Sequence, residues 1–253
     1  MITATSLEGI GELRPGDDLA GAVVAALAGQ PVPLTITSED VVVVAHKAVS
    51  KVEGRLRTLS EVSVRPEAQA LASAQGKDPR LVELILEESR EIVRAAHGVI
   101  ISETHHGFVC ANAGIDASNV GDDGVALLLP LDPDASARAL RARLRELTGT
   151  APAVLITDSF GRAWRSGQCD VAIGMAGLQP LEDWRGGTDS YGRELRATLI
   201  AVADQLAAVA DLARRKDSRQ PVVVVRGADR HVISEDGPGV APLIRAREHD
   251  LFR

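Results

Sequence analysis

The run Ile156-Thr157-Asp158-Ser159-Phe160-Gly161-Arg162-Ala163-Trp164-Arg165-Ser166-Gly167-Gln168 holds an acid, a hydroxyl, two glycines and two arginines directly after the apolar Ala153-Val154-Leu155. Carboxylate and hydroxyl oxygens are the ligands that Mg²⁺ and Mn²⁺ prefer. Arg162 and Arg165 supply planar donors that hold phosphate or carboxylate. A buried strand therefore ends abruptly in the composition of a metal and anion site. The plainer alternative is a solvated loop after a strand, which is common.

Two further stretches have related chemistry. Asn112-Ala113-Gly114-Ile115-Asp116-Ala117-Ser118-Asn119-Val120-Gly121 reads as a strand exit packed with small residues, with one acid and two amides. Small residues let backbone approach a ligand, and Asp116 could share a hard metal with Asp158 if the two strand ends lie together. An Asx-rich turn explains the same residues without a ligand. After the β-branched run Val41-Val42-Val43-Val44-Ala45 come His46, Lys47, Lys51 and Arg55. A histidine and three bases there resemble an anion-binding rim, because open α/β sheets place ligands at strand ends, although lysines on a solvated face would look the same. His105-His106 reads as a hairpin turn rather than a metal site, since adjacent side chains in a strand or turn point to opposite sides.

The elements that must position these residues follow from periodicity. Val41–Ala45 and 221–227 read as strands buried on both faces. A helix is expected over Leu19–Leu27, with Asp17 and Asp18 as capping acids rather than catalytic groups. Between Arg65 and Ala96 apolar residues recur at helical spacing, through Leu71, Leu84, Ile85, Ile92 and Val93. This predicts two helices separated at Gly76-Lys77-Asp78-Pro79, with Asp78 as cap and Pro79 at the first helical position. Two short strands, 99–102 and 107–111, follow, then a connector ending at Asp134 and a helix over 135–148. Beyond the central stretch the pattern predicts a small-residue strand over 169–177, a loop over 184–189 and a long alanine-rich helix from Tyr191 to Arg215. The remainder has loop character and ends in a short helical piece.

The totals fit one large domain or two lobes folded together: 253 residues, 45% hydrophobic and 25% charged. Aromatic residues are only 2%, too few for the stacking platforms that hold single-stranded nucleic acid. Twenty-eight basic against thirty-five acidic residues give a net charge of −7, the wrong sign for a protein that coats DNA or an anionic membrane. Any phosphate binding must be local. Cys110 and Cys169 have no metal-type spacing and read as a reduced pair. The N-terminus lacks a signal-peptide pattern, and no apolar run approaches the roughly 18 residues of a membrane span, so a soluble, cytoplasmic protein is expected.

Five ordered stretches together resemble the GTP-dependent coenzyme F420-0:gamma-glutamyl ligase family. They are Leu13-Arg14-Pro15-Gly16-Asp17-Asp18-Leu19, Val49-Ser50-Lys51-Val52-Glu53-Gly54-Arg55, Asn112 to Asn119, Ile156 to Arg165, and Asp189-Ser190-Tyr191-Gly192-Arg193-Glu194-Leu195, and the likeness runs from about Gly9 to Gly227. The resemblance implies a mixed α/β (α+β), two-lobed fold with mixed sheets, a single ligase domain over 1–253 without a nitroreductase-like extension, and an intertwined homodimer. It implies addition of L-glutamate, through gamma-linked amide bonds, to F420-0 or its dehydro form. By the same resemblance Asp116 and Asp158 hold a divalent cation, Mn²⁺ or Mg²⁺, with Ser159 on a second one where the family usually has threonine, and a monovalent cation is also allowed for. Ile10, Gly11, Glu12 and Leu13 would contact GTP, with His46, Lys51 and Asn119 completing its pocket.

Lys51 and Arg162 are the candidates for positioning a transferring phosphoryl group; Arg162 is chosen from composition. The family's archaeal members carry a glycine-rich acidic loop after the long helix. Here Arg214-Arg215-Lys216-Asp217-Ser218-Arg219 stands in its place, with Asp217 as the substitute acid. Two rival readings are a nucleotide-binding regulatory homologue and a metal-dependent ligase for another carboxylate acceptor.

Overall fold

A computed structural model of the chain describes residues 1–117, 124–215 and 217–252. In chain order the elements are β1 (Thr3–Ser6), α1 (Leu19–Ala28), β2 (Val41–Ala45), α2 (His46–Val52), β3 (Leu56–Thr58), α3 (Pro66–Gln75), α4 (Pro79–Glu87), β4 (Ser89–Ala96) and β5 (Val99–Thr104). There follow β6 (Val109–Ala111), β7 (Val125–Leu127), α5 (Pro133–Thr148), β8 (Ala153–Arg162), β9 (Arg165–Ala176), β10 (Leu181–Asp183), β11 (Leu199–Ala201), α6 (Val202–Ala213) and β12 (Val222–Arg226). This is the expected mixed α/β class, with mixed and antiparallel sheets.

The main sheet has the order β1-β12-β2-β8-β9. Only the β2–β8 pair is parallel, in the register Val41↔Ala153 through Ala45↔Thr157. Val41 to Val44, Ala153 to Ile156 and Val222 to Val225 are all buried, as continuous β-branched and aliphatic runs require when both faces are covered. Helix α5 packs against β8, β9 and α1, while α6 crosses β1, β12, β8 and β9. The largest hydrophobic cluster belongs to this sheet and its helices. Two smaller clusters lie apart from it: one joins Ala68, Ala72, Val82, Ile85 and Ile100 from α3, α4 and β5. The other joins Leu59, Leu84, Ala126 and Leu128.

Local signals read from the sequence mostly hold. Asp18 caps α1 by accepting the Gly21 N–H, and Asp78 caps α4 through the Arg80 N–H with Pro79 first in the helix. Helix α5 begins at Pro133, two residues before the expected start. Asp17 accepts the Arg14 N–H at 2.7 Å. His105 and His106 occupy the turn after β5, as expected.

Three expectations fail, each for a physical reason. The helical spacing through Ile92 and Val93 belongs to strand β4, whose pairing with β5 is shifted between Ser89 and Glu91 and again between Ile92 and Arg94. Two irregularities break the period-2 alternation and imitate a helical period. The long helix from Tyr191 is α6 alone, starting at Val202. Asp189 accepts the N–H groups of Tyr191 and Arg193, and Gly192 has φ +79, so a side-chain-stabilised turn displaces helix there. Leu212, near the end of α6, is exposed. Finally, β8 does not end before the polar residues; it continues to Arg162 and pairs antiparallel with β9 as a hairpin that outruns the core. The change in composition marks where the strand leaves the interior.

Packing between β9 and α5 is close enough to require glycine. A Cβ on Gly174 would stand 2.5 Å from the Pro133 backbone, while the neighbouring Met175 N–H bonds Asp134 at 2.8 Å. Gly174→Ala should lower stability by about 1–3 kcal/mol, the cost of overpacking a closed core. Urea denaturation checks this, and an unchanged midpoint would show that α5 can withdraw freely.

Candidate functional site

The parallel pairing of β2 and β8 sets the end of one strand beside the middle of the other. Because Ala45 lies opposite Thr157, His46 and Lys47 at the start of α2 come level with Asp158 and Ser159. Ligands bind where parallel strands end at their carboxyl side, since there the sheet's helices turn away and backbone is left open. A cleft of about 790 Å³ opens at this position. It is lined by Ile10 to Leu13, by His46, Lys47 and Lys51, by Thr157 to Ser159 with Asp170, and by the segment that follows α6.

Most of the sequence-predicted residues therefore converge. Ile10, Gly11, Glu12, Leu13, His46, Lys51, Asp158, Ser159 and Asp217 all line the cleft. Lys51 forms an ion pair with the exposed Glu12 carboxylate, tying α2 to the Ile10–Leu13 segment. Asp116 does not line the cleft itself, but its carboxylate is ion-paired with Lys47, which does. It follows directly on a strained turn, with Asn112, Ala113 and Gly114 all at positive φ. Arg162 lies at the exposed tip of the β8–β9 hairpin, where it donates to the Ser166 carbonyl at 3.0 Å, and it is not part of the cleft wall. Asn119 lies outside the described residues.

The sequence reading missed the group that organises the site. Asp170, on β9 and 2% exposed, stands opposite Ser159 in the hairpin register. Its Oδ1 accepts the Ser159 hydroxyl at 2.7 Å and its Oδ2 accepts the Thr157 hydroxyl at 2.8 Å. Arg214, just past the end of α6, ion-pairs with Oδ2 and also donates to the Thr157 oxygen at 2.8 Å. An ionised carboxylate only accepts, so both hydroxyls must give it their protons. The Ser159 oxygen thereby keeps its lone pairs for the cleft. The available signal was an acid inside an otherwise small and apolar strand, which is rarely buried unless paired.

Asp158 sits on the opposite face of β8. Its Oδ1 accepts its neighbour's N–H, from Ser159, at 2.8 Å and lies 3.2 Å from His46 Nε2. That contact is off hydrogen-bond geometry, and Nε2 is a buried polar atom without a hydrogen-bond partner among the described residues, although Nδ1 is 3.3 Å from the Ser50 hydroxyl. A buried orphan of this kind beside a carboxylate marks a place where a bound group completes the hydrogen bonding. Burial, reinforced by the Asp158 charge, pushes the Cys110 thiol up to about 12, which leaves it an inert apolar neighbour rather than a nucleophile.

The donor set fits a hard divalent cation. Asp158 and Ser159 present oxygen only, and the recorded contacts of Asp158 all fall on Oδ1. Among the described residues no three His, Cys, Asp or Glu side chains form a closed metal cage. Mg²⁺-type ions are held in this open way, by one or two carboxylates completed by water and substrate phosphates. Basic groups for an anionic ligand are present as well: Lys47, Lys51, Arg214, Arg215 and Arg219 line the cleft, interleaved with Glu12, Asp158, Asp170, Asp211 and Asp217. On the α6 side Asp211 joins Asp217 as a second acid at the wall, and Asp217 is paired with Arg215 at 3.2 Å.

Because Asp170 is buried and its charge is balanced by Arg214, Arg214→Ala should destabilise the fold by about 3–5 kcal/mol, the cost of stranding a buried charge. The double variant Arg214→Leu with Asp170→Asn should recover much of that loss in urea titrations. A single variant as stable as the parent would contradict this account of the pair.

Comparison with known proteins follows the same residues. The family model for F420-0:Gamma-glutamyl ligase matches residues 9–227. The chain is similar to the Coenzyme F420:L-glutamate ligase of Methanothermobacter thermautotrophicus, 48% identical over 255 residues, covering 100% of this chain and 99% of that relative. The Methanopyrus kandleri protein of the same name is 45% identical over 244 residues, covering 96% and 94%. That of Methanocaldococcus jannaschii is 42% identical over 219 residues, covering 86% of each. Among the described residues no helix is long and apolar enough to cross a membrane.

Proposed function

The chain belongs to the F420-0:gamma-glutamyl ligase family, and on that premise we propose that it joins L-glutamate to coenzyme F420-0 in F420 biosynthesis, with GTP as the energy source. The observation that carries this reading is the convergence of Ile10–Leu13, His46, Lys51, Asp158 and Ser159 on one cleft at the end of the β2–β8 pair. A carboxylate does not form an amide with an amine at neutral pH without activation. Transfer of the γ-phosphoryl group to the acceptor carboxylate gives an acyl phosphate; the glutamate amine then attacks the carbonyl carbon, the amide bond forms and inorganic phosphate leaves.

This chain's own residues supply position and charge. Ile10–Leu13 and Lys51 form one wall of the nucleotide site, held together by the Lys51–Glu12 pair, which opens to release the ammonium toward phosphate oxygens. His46 Nε2, without a hydrogen-bond partner, gains one when the phosphates or their waters arrive. Arg215 and Arg219, on the segment after α6, line the cleft and add positive charge where the leaving nucleoside diphosphate builds up negative charge. A divalent cation, Mn²⁺ or Mg²⁺, held by Asp116 and Asp158, with a second one on Ser159, would neutralise charge on the transferring phosphoryl group. Lys47 guards the Asp116 carboxylate in the absence of that cation, and Asp211 and Asp217 are the acids available to a second one. Asn119 completes the nucleotide pocket in this reading, and a homodimer is the working form.

Mass spectrometry of F420-0 incubated with the protein, L-glutamate, GTP and Mn²⁺ tests this directly. Additions of glutamate mass are expected, and Asp158→Asn should reduce their rate by roughly 10²-fold or more, the scale for losing one preorganised charge-stabilising group. GTP binding without any addition to F420-0 would overturn the ligase reading.

A further inference from the structure

The chain has three phenylalanines, Phe108, Phe160 and Phe252, and all three line a single second pocket. Phe108 belongs to the main core and Phe160 packs against it, but Phe252 is more than half exposed, so the pocket's mouth is lined by an aromatic ring that the core does not use. The pocket measures about 280 Å³, near the lower end of the roughly 300–1,000 Å³ typical of small-molecule sites. Val171 and Ala172 form apolar wall, while Asp204 from α6 and Arg245 from the C-terminal segment bring polar groups to it.

Its place relative to the cleft is set by strand geometry. Phe160 is two residues beyond Asp158 on β8, and their partners on β9, Cys169 and Val171, are likewise two apart with no register shift between them. Side chains at i and i+2 leave the same face of a strand, about 7 Å apart. Asp158 and the Phe160 wall therefore point into neighbouring space on one side of the hairpin, while Ser159 and Asp170 point to the other. Helix α6 runs beside both cavities, with Asp204 at the second pocket and Asp211 two turns further at the cleft. The rings are set at angles suited to a flat guest. Phe108 and Phe160 meet edge to face, with centroids 6.2 Å apart and planes at 66°, and Phe252 is braced by Trp164 at 4.5 Å.

We propose that this pocket is the ring subsite of the acceptor: Phe108, Phe160 and Phe252 enclose a planar heteroaromatic system, whose carboxylate-bearing arm then reaches past Asp158 into the cleft. The inference rests on the ligase reading for the identity of the acceptor, and on the pocket alone for the chemical class of the guest. Aromatic side chains hold flat conjugated rings through offset and edge contacts. Asp204, fixed by the Ala172 N–H at 3.0 Å, and Arg245 are placed to meet polar atoms on the ring's edge. The pocket is too small for the whole acceptor, so the arm must leave it, and the Asp158 side of the hairpin is where it would lead.

The test uses the full chain and separates ring binding from catalysis. Titration of a bare deazaflavin chromophore without its phosphate arm should quench ring fluorescence with the parent protein. In Phe160→Leu the affinity should fall roughly three- to tenfold, the scale of one aromatic contact, and Phe160→Tyr should restore it. Phe252→Ala, at an exposed position that cannot compromise the core, should weaken binding in the same direction. In ligation assays Phe160→Leu should raise the KM for F420-0 while leaving those for GTP and L-glutamate within twofold. Ring binding that is lost in Phe160→Leu, in a protein that ligates nothing, would retain this subsite and reject the ligase. Parent protein that ligates but binds the bare ring no better than the variants, or a Phe160→Leu effect confined to the KM for L-glutamate, would overturn the subsite.

Discussion

A single buried carboxylate sets the geometry on which the cleft depends. Asp170 draws the hydroxyl protons of Thr157 and Ser159 inward and holds the guanidinium of Arg214 against them, so β8, β9 and the end of α6 meet at one point. The Ser159 oxygen is left with lone pairs for the cleft, and α6 is anchored where it leads into the Arg214–Arg219 segment. A carboxylate placed this deep in the hairpin would be costly alone. Paired and hydrogen-bonded on both oxygens, it instead fixes the rotamers of the residues that face the ligand.

The register of the hairpin then divides two kinds of chemistry between its two faces. Thr157, Ser159 and Asp170 share one face and Asp158, Phe160 and Val171 the other. The first is polar and meets basic residues on α2 and after α6; the second combines one acid with aromatic and aliphatic wall. Alternation along a strand makes this division automatic, and the shift between Ile156 and Thr157 sets which residue goes to which side. Acidic and basic side chains are intermixed along the cleft, so an anion there meets individual basic groups rather than a net positive field.

Much of this was legible in the sequence where a local rule decides the outcome. Val41–Val44 and Val222–Val225 could only be buried strands, and Asp18 and Asp78 cap the helices their positions predict. Five motif stretches carried the likeness to the family, and the described residues in them that were named as cleft residues lie together, apart from Asp116, set back behind Lys47, and Arg162, at the hairpin tip, while Asn119 lies outside the described residues. What stayed hidden depends on pairing between distant segments. The role of Asp170 appears only once β9 is folded back on β8, and Lys47 gains its meaning only when α2 brings it to Asp116. Strand β4 was misread because irregular pairing with β5 disguises its period, and the helix assigned from Tyr191 gave way to a turn that Asp189 stabilises.

In the proposed function Asp158 faces the cation that accompanies the nucleotide, in a cleft where Asp170 orients the Thr157 and Ser159 hydroxyls. Anomalous scattering from crystals grown with GTP and Mn²⁺ tests it most directly. The account predicts a manganese peak within bonding distance of the Asp158 carboxylate and of a phosphate oxygen. A nucleotide bound in the cleft with its manganese coordinated elsewhere, leaving Asp158 without a metal, would contradict it.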